Sequence, residues 1–371
     1  MERYVPILCR ETAPREWISI ESFYENAYLE EIKRSIFTKT SGDHMKRLAI
    51  LFCLSTQLIV TAPPIALPLL AADIMPRTKI RIATAAPSLS YFPIYAAVQK
   101  GFFARRGFDV EMIQMAPSLT AAALLNRSVD YTIIPSTIAT AAARGAPAKV
   151  IHFASVKLQH TLVVRADVNS VSDLAGKKIA GSGFGNLVAY EIQYLIERYK
   201  LGPKTTIVNA PSSIDRLIAV QKGLAEAAII AAPADIKGEE MGLKRLIQMG
   251  SLLQIPQAGL AATDDKLKYN RGEVIEVLKA AIDGLEYTAN QREDAIALIG
   301  KWMALTPPQA LKAYESVKDT YSRDGVPTPE QSKAYIAMLA ATAGLNADLP
   351  AATIFDFSLS TAAAKDLLSK R

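Results

Sequence analysis

Cysteine is nearly missing from this chain. Only Cys9 and Cys53 occur among its 371 residues, and both lie before residue 72. The rest of the chain therefore has no disulfide, no thiol nucleophile and no thiolate metal ligand. Histidine is as scarce. After His44 there are only His152 and His160, and their i, i+8 spacing is not that of a metal pair. Neither a metal nor a cofactor is expected. Repeats of solenoid period and low-complexity tracts are also missing, which argues against a scaffold or a disordered adaptor. Lys and Arg are scattered, with no basic stripe interleaved with aromatics, so nucleic acid is a poor partner.

What is there has a globular balance. Half of the sequence is hydrophobic and 21% is charged, enough apolar material for one or two cores. The formal charge is +6. It would favour the approach of an anionic solute to a cleft, although solubility is its plainer use.

One apolar stretch follows an internal methionine. Met45 is succeeded by Lys46 and Arg47, then by a mainly apolar run to Val60, then by Pro63, Pro64 and Pro68. The stretch ends in Leu70-Ala71-Ala72-Asp73. This is the layout of an export signal over residues 45–72, with cleavage expected after Ala72. The run ahead of the prolines falls short of the roughly 20 residues needed to cross a bilayer. Cys53 follows the bulky Phe52, which speaks against a lipid anchor. Residues 1–44 are charged and without a clean period. They read as a non-native or disordered extension, with Met45 the expected start. Residues 1–72 carry eight basic and eight acidic side chains, so the mature chain keeps the whole +6. Its expected location is periplasmic, as a monomer.

Past the signal, short strands and helices alternate. Residues 79–83, 108–115, 130–134 and 149–156 read as strands. Helices between them open at Tyr91-Phe92-Pro93, at Ser118 and at Ser136; Pro93 is tolerated in a first turn and Ser118 is a good cap. A second run has strands at 161–165, 206–209 and 227–230 and helices from Val188 and Ser213. Such alternation predicts an α/β fold with mainly parallel sheets, whose ligands bind beyond the carboxyl ends of strands. After Gly259 the pattern becomes helical, over a face of Val274, Val277, Leu278, Ala281, Ile282 and Leu285 and then about 291–304, 307–319 and 328–342. This tail is expected to pack across the first lobe.

Several of these segments, taken in order, resemble a known family. They are Ser90-Tyr91-Phe92-Pro93-Ile94-Tyr95-Ala96-Ala97, Lys100-Gly101-Phe102-Phe103, Gly107-Phe108-Asp109-Val110-Glu111 and Val129-Asp130-Tyr131. Asp173-Leu174-Ala175-Gly176-Lys177-Lys178-Ile179 and Gly223-Leu224-Ala225-Glu226-Ala227-Ala228 follow, with Glu226 where the family usually has Asp. Together they resemble the solute-binding proteins of nitrate, sulfonate and taurine ABC importers and the related thiamine-pyrimidine-precursor-binding group, over roughly residues 78–300. The resemblance implies a two-lobed periplasmic-binding-protein type II fold with a hinge and a helical C-terminal segment. One lobe would hold residues 73–160 plus 257–371, the other 161–256, with two crossovers as the hinge. It also implies a small-molecule solute such as a sulfonate, nitrate or pyrimidine-like compound, and ABC permease subunits with their ATPase as partners.

Helix N-termini carry unsatisfied N–H groups and partial positive charge, which suits an anion. Three would face one cleft: Ser118 with Thr120, Ser136 with Thr137, and the loop from Ser182 through Gly183 to Asn186. Tyr91 and Tyr95 would wall the pocket, and Asp235 stands at a strand end on the same side. Each has a plainer reading, as a cap, a core residue or a turn. The glycines Gly181, Gly183 and Gly185 match neither a dinucleotide fingerprint nor a P-loop. Two other functions share the fold. One is an enzyme of the desulfinase or pyrimidine-precursor-synthase kind, disfavoured by the missing cysteine. The other is a solute sensor not coupled to transport.

Overall fold

The computed structural model describes residues 77–182 and 186–369. The expected extension, the expected export signal and Gly183 lie outside the described residues. Among the described residues, no helix is long and apolar enough to cross a membrane.

The strands are β1 (Thr78–Thr84), β2 (Phe108–Gln114), β3 (Tyr131–Thr132), β4 (Ala148–Phe153) and β5 (His160–Val164). They continue with β6 (Lys178–Gly181), β7 (Thr206–Asn209), β8 (Ala227–Ala231), β9 (Lys244–Gln248) and β10 (Gly259–Thr263). The helices of eight residues or more begin with α1 (Phe92–Gln99), α2 (Pro117–Leu125), α3 (Pro135–Ala143), α4 (Leu187–Arg198) and α5 (Ser213–Gln221). The tail supplies α6 (Arg271–Asn290), α7 (Arg292–Met303), α8 (Pro307–Val317), α9 (Pro329–Ala343) and α10 (Ser358–Ser369).

Two five-stranded sheets result, ordered β2-β1-β3-β10-β4 and β7-β6-β8-β5-β9. In the first, β1 pairs parallel with β2 and β3, while β10 runs antiparallel to β3 and β4. In the second, β6 pairs parallel with β7 and β8, while β5 runs antiparallel to β8 and β9. The sheets are thus mainly parallel with one reversed strand each. The reversed strand is always the one on which the chain arrives from the other lobe. Sequence patterning missed β6, β9 and β10, four or five residues each, because they follow segments without a clear alternation.

Burial explains the strands. In β8, Ala227, Ala228, Ile229 and Ile230 are all buried, as expected of a central strand covered on both faces. Ile80, Ile82, Tyr131, Ile133, Ile151 and Leu260 form the core of the first lobe with Val274, Val277 and Leu278 of α6. Val163, Leu217, Val220 and Ile230 pack on one face of the second sheet. The other face joins a larger cluster that runs from Val150 and Phe153 through Leu162, Ile192 and Leu195 to Tyr335 and Leu339 of α9.

The tail does not stay with the first sheet. Helix α6 lies on α1, where a Cβ on Gly284 would sit 2.2 Å from the carbonyl oxygen of Pro93. Only glycine permits that approach. Helix α9 packs against both α3 and α4, one from each lobe. On another side, Gln309 of α8 donates to Glu240 at 2.6 Å, and Lys312 pairs with Glu239, both on the short helix Ala234–Glu240 of the second lobe.

His152 on β4 is fully buried. Its Nδ1 lies 3.2 Å from the Ser360 hydroxyl of α10, and Gly325 packs so closely that a Cβ there would meet the ring. Burial pushes the imidazole down to about 3 from 6.5. The folded state thus resists a proton that the unfolded chain accepts. Stability is full above about pH 6.5 and falls toward about pH 3, by up to ~1.4 kcal/mol per unit. Urea unfolding between about pH 6 and about pH 4 should show a shallower loss in His152→Phe than in the native chain. Gly284→Ala should cost about 1–3 kcal/mol by overpacking, and Gly272→Ala, whose Cβ meets nothing within 4 Å, should change stability by less than about 1 kcal/mol.

Candidate functional site

The chain crosses between the sheets twice. Residues 154–159 lead from β4 to β5, and residues 249–258 lead from β9 back to β10. The crossovers pair with each other. The Ala154 amide donates to the Ala258 carbonyl at 2.8 Å, and the Gln257 amide to the Ser155 carbonyl at 3.0 Å. A third segment, from the tail, joins them. The Ser322 amide donates to the Ala154 carbonyl at 2.9 Å, and the Val156 amide to the Thr320 carbonyl at 2.8 Å.

Beside this junction a cavity of about 680 Å³ opens between the lobes. The first lobe contributes Ser88, Ser90, Tyr91, Ser118, Ser136, Thr137, Thr140 and Arg144. The second contributes His160, Asn186 and Leu187, the crossover Pro256 and Gln257, and α9 Tyr335, Met338 and Leu339. The first turns of α2, α3 and α4 therefore meet at one cavity, with their N–H groups and positive dipole ends. This geometry suits an acceptor or anionic group.

Half of the ten residues expected from sequence come together here. Tyr91, Ser118, Ser136, Thr137 and Asn186 line the cavity. Their local roles differ from expectation. Neither Ser118 nor Ser136 is the cap of its helix; Ala116 and Ile134 hold those positions, each followed by a proline. Both serines sit in the first turn with no capping duty. Asn186 is a true cap, its side-chain oxygen accepting the Ala189 amide at 3.1 Å and the Ser182 hydroxyl at 2.8 Å. Thr120 is buried behind the wall, its hydroxyl 2.7 Å from that of Thr137 and donating to the Pro117 carbonyl at 2.8 Å. Burial pushes the Tyr91 phenol up to about 12, so it stays a neutral hydrogen-bonding group.

Ser182, Tyr95 and Asp235 are not among the lining residues. Ser182 donates its hydroxyl to the Asn186 side chain. Tyr95, half-buried, stacks on Trp302 of α7 with ring centres 4.2 Å apart, against the tail-facing core. Asp235 is fully buried in the second lobe, where it pairs with Arg245 at 2.9 Å and accepts the Thr161 hydroxyl at 2.7 Å. A carboxylate removed from water needs such partners.

Sequence reasoning missed Arg144, His160, Gln257 and Tyr335. Arg144 closes α3 and donates to the Ala343 carbonyl at the end of α9, 3.2 Å away. His160 carried one usable signal: it is the first residue of the strand that enters the second lobe. Tyr335 carried none, being far along a helical tail.

The comparisons with known proteins agree with this architecture. The family description "NMT1/THI5 like" matches residues 89–295. A curated Bacillus subtilis (strain 168) protein, named as a binding protein YtlA, is 25% identical over 226 residues, 57% of this chain and 67% of its own. Among solved structures, the periplasmic sulfonate-binding protein SsuA of Methylobacillus flagellatus KT superposes with a TM-score of 0.65 at 18% identity, covering 79% of this chain and 96% of its own. The periplasmic nitrate-binding protein NrtA of Synechocystis PCC 6803 gives 0.61 at 14% identity, covering 78% and 89%. The fold is thus the two-lobed periplasmic-binding-protein type II fold.

The buried pair away from the cavity gives a test of which acidic residue is structural. Asp235→Ala should cost about 3–5 kcal/mol in urea unfolding, because it leaves the Arg245 guanidinium without its carboxylate. The paired change Asp235→Leu with Arg245→Met should recover much of that loss.

Proposed function

The chain belongs to the NMT1/THI5-like family, and from that premise we propose that it is the extracytoplasmic solute-binding component of an ABC importer. One observation carries the reading. A cavity sized for a small organic molecule lies between two lobes, takes its walls from both, and sits beside paired crossover strands. A solute that touches both sides favours the closed arrangement, because only differential contact shifts such an equilibrium. The membrane subunits of the importer would then read the closed form. Export through a signal at residues 45–72 puts the chain where such a partner waits.

The converging helix N-termini and Arg144 support a solute with an acceptor or anionic group. The sulfonate- and nitrate-binding names of the structural relatives point the same way. The described cavity holds no cysteine, which speaks against cysteine-based enzyme chemistry on this fold.

The chain from Asp73 onward should gain thermal stability with one class of solute from a panel of alkanesulfonates, nitrate, aromatic carboxylates and pyrimidines. At about 100 times its Kd a ligand adds ~2.7 kcal/mol. Small-angle scattering should show a smaller radius of gyration in the same sample. A panel that stabilises nothing, combined with hydrolytic or lyase turnover of any member, overturns the reading.

A further inference from the structure

His160 sits in the cavity wall at the start of β5, with its side chain 12% exposed. Its Nδ1 lies 2.6 Å from Oε2 of Glu191, which α4 holds fully buried. Among the described residues, the other carboxylate oxygen, Oε1, is buried without a hydrogen-bond partner. A carboxylate so placed needs a donor, and the imidazole Nδ1–H is the donor it has. The hydrogen bond made by one ring nitrogen fixes what the other does. Nε2 is left facing Gln257 of the second crossover, 3.5 Å from its side-chain nitrogen.

The orientation of Gln257 is also fixed. Its side-chain oxygen accepts the Gln159 amide at 2.8 Å, so its NH2 group is the part turned to His160. A protonated Nε2 would set donor against donor. The network closes only with Nε2 as acceptor. At 3.5 Å the contact is long for a hydrogen bond, so an incoming donor can take the Nε2 lone pair and leave the Gln257 NH2 for an acceptor. Side by side, an acceptor and a donor form the complement of an amide edge.

We propose that His160, oriented by Glu191, and Gln257 together make a subsite for a neutral amide-like edge: an N–H beside a carbonyl or ring nitrogen. The inference rests on the cavity being a solute site, as above. His160 and Gln257 contact the solute, and Glu191 is a positioning residue. An acid in place of the amide offers two acceptors, one of which would face the Nε2 lone pair. Sites built for a hydrogen-bonding group reject analogues that leave their polar groups unpaired.

Two measurements on the full chain test this. Nitrogen-15 spectra of histidine-labelled protein, assigned through bonds to the backbone, should show His160 at about neutral pH with its proton on Nδ1 and Nε2 unprotonated. An Nε2–H tautomer or an imidazolium overturns the proposal, whatever the solute is. Nicotinamide and nicotinate are then the probes, titrated by ligand-observed NMR against native chain and His160→Phe. The amide-to-acid affinity ratio should fall on the order of tenfold in the variant. An unchanged ratio, or no binding of either probe to the native chain, overturns the amide subsite. The receptor reading is judged separately by the solute panel, so the two failures are distinguishable. If His160→Phe does not fold, the tautomer decides alone.

Discussion

The pairing of the two crossover strands is the constraint on which the rest depends. Ala154 and Ala258, and Ser155 and Gln257, are joined by backbone hydrogen bonds where the chain passes between sheets. That pairing sets the reversed strand in each sheet, since β5 and β10 are the strands that leave the junction. It also places His160 and Gln257, one at the end of each passage, within contact of each other. The Thr320–Ser322 backbone adds a third line of hydrogen bonds to the same junction. Backbone φ and ψ changes at this junction would rotate one lobe against the other, with the apolar cluster from Val150 and Phe153 to Leu162 and Ile192 resisting them.

The cavity follows from that junction. Parallel strands deliver their carboxyl ends, and so the first turns of the following helices, to one side of each sheet. With the sheets linked at one edge, the N-termini of α2, α3 and α4 converge. At α2 and α3 the lining residues Ser118, Ser136 and Thr137 are small and hydroxylated. The tail then closes the remaining side. Helix α9 lays Tyr335, Met338 and Leu339 along the cavity while its other contacts reach both lobes. A solute in this space meets polar groups from the lobes and apolar groups from the tail. Relative motion of the lobes must therefore also shift α9, or the contacts of α8 with the helix Ala234–Glu240.

Much of this was legible in the sequence, and for local reasons. Alternation of apolar residues marked β1 and β2 because a strand's faces repeat every second residue, and a short continuous apolar run marked β8. Glycine and proline marked the ends. The hydroxyl-rich first turns at Ser118 and Ser136 were legible as cleft candidates because strand-to-helix loops lie at the binding side of such sheets. Tyr95 and Asp235 were expected at the cavity on the same grounds as Tyr91, and the structure puts them outside its lining. Tyr91 and Tyr95 belong to the first helix region after β1 and Asp235 follows β8, and sequence does not say which way a side chain turns once Trp302 or Arg245 is beside it.

Sequence by itself determined the α/β alternation, the resemblance that orders it into two lobes, and the exclusion of thiol chemistry beyond Cys53. Those properties reside in composition and in spacing of a few residues. Tertiary structure alone decided that Glu191 backs His160, that Gln257 faces it, and that Tyr335 walls the cavity. These residues lie tens to hundreds of positions apart, and nothing in a local period encodes which distant faces will share a core. Only long-range packing, through Gly284 against Pro93 and α9 against α4, brings them to one place.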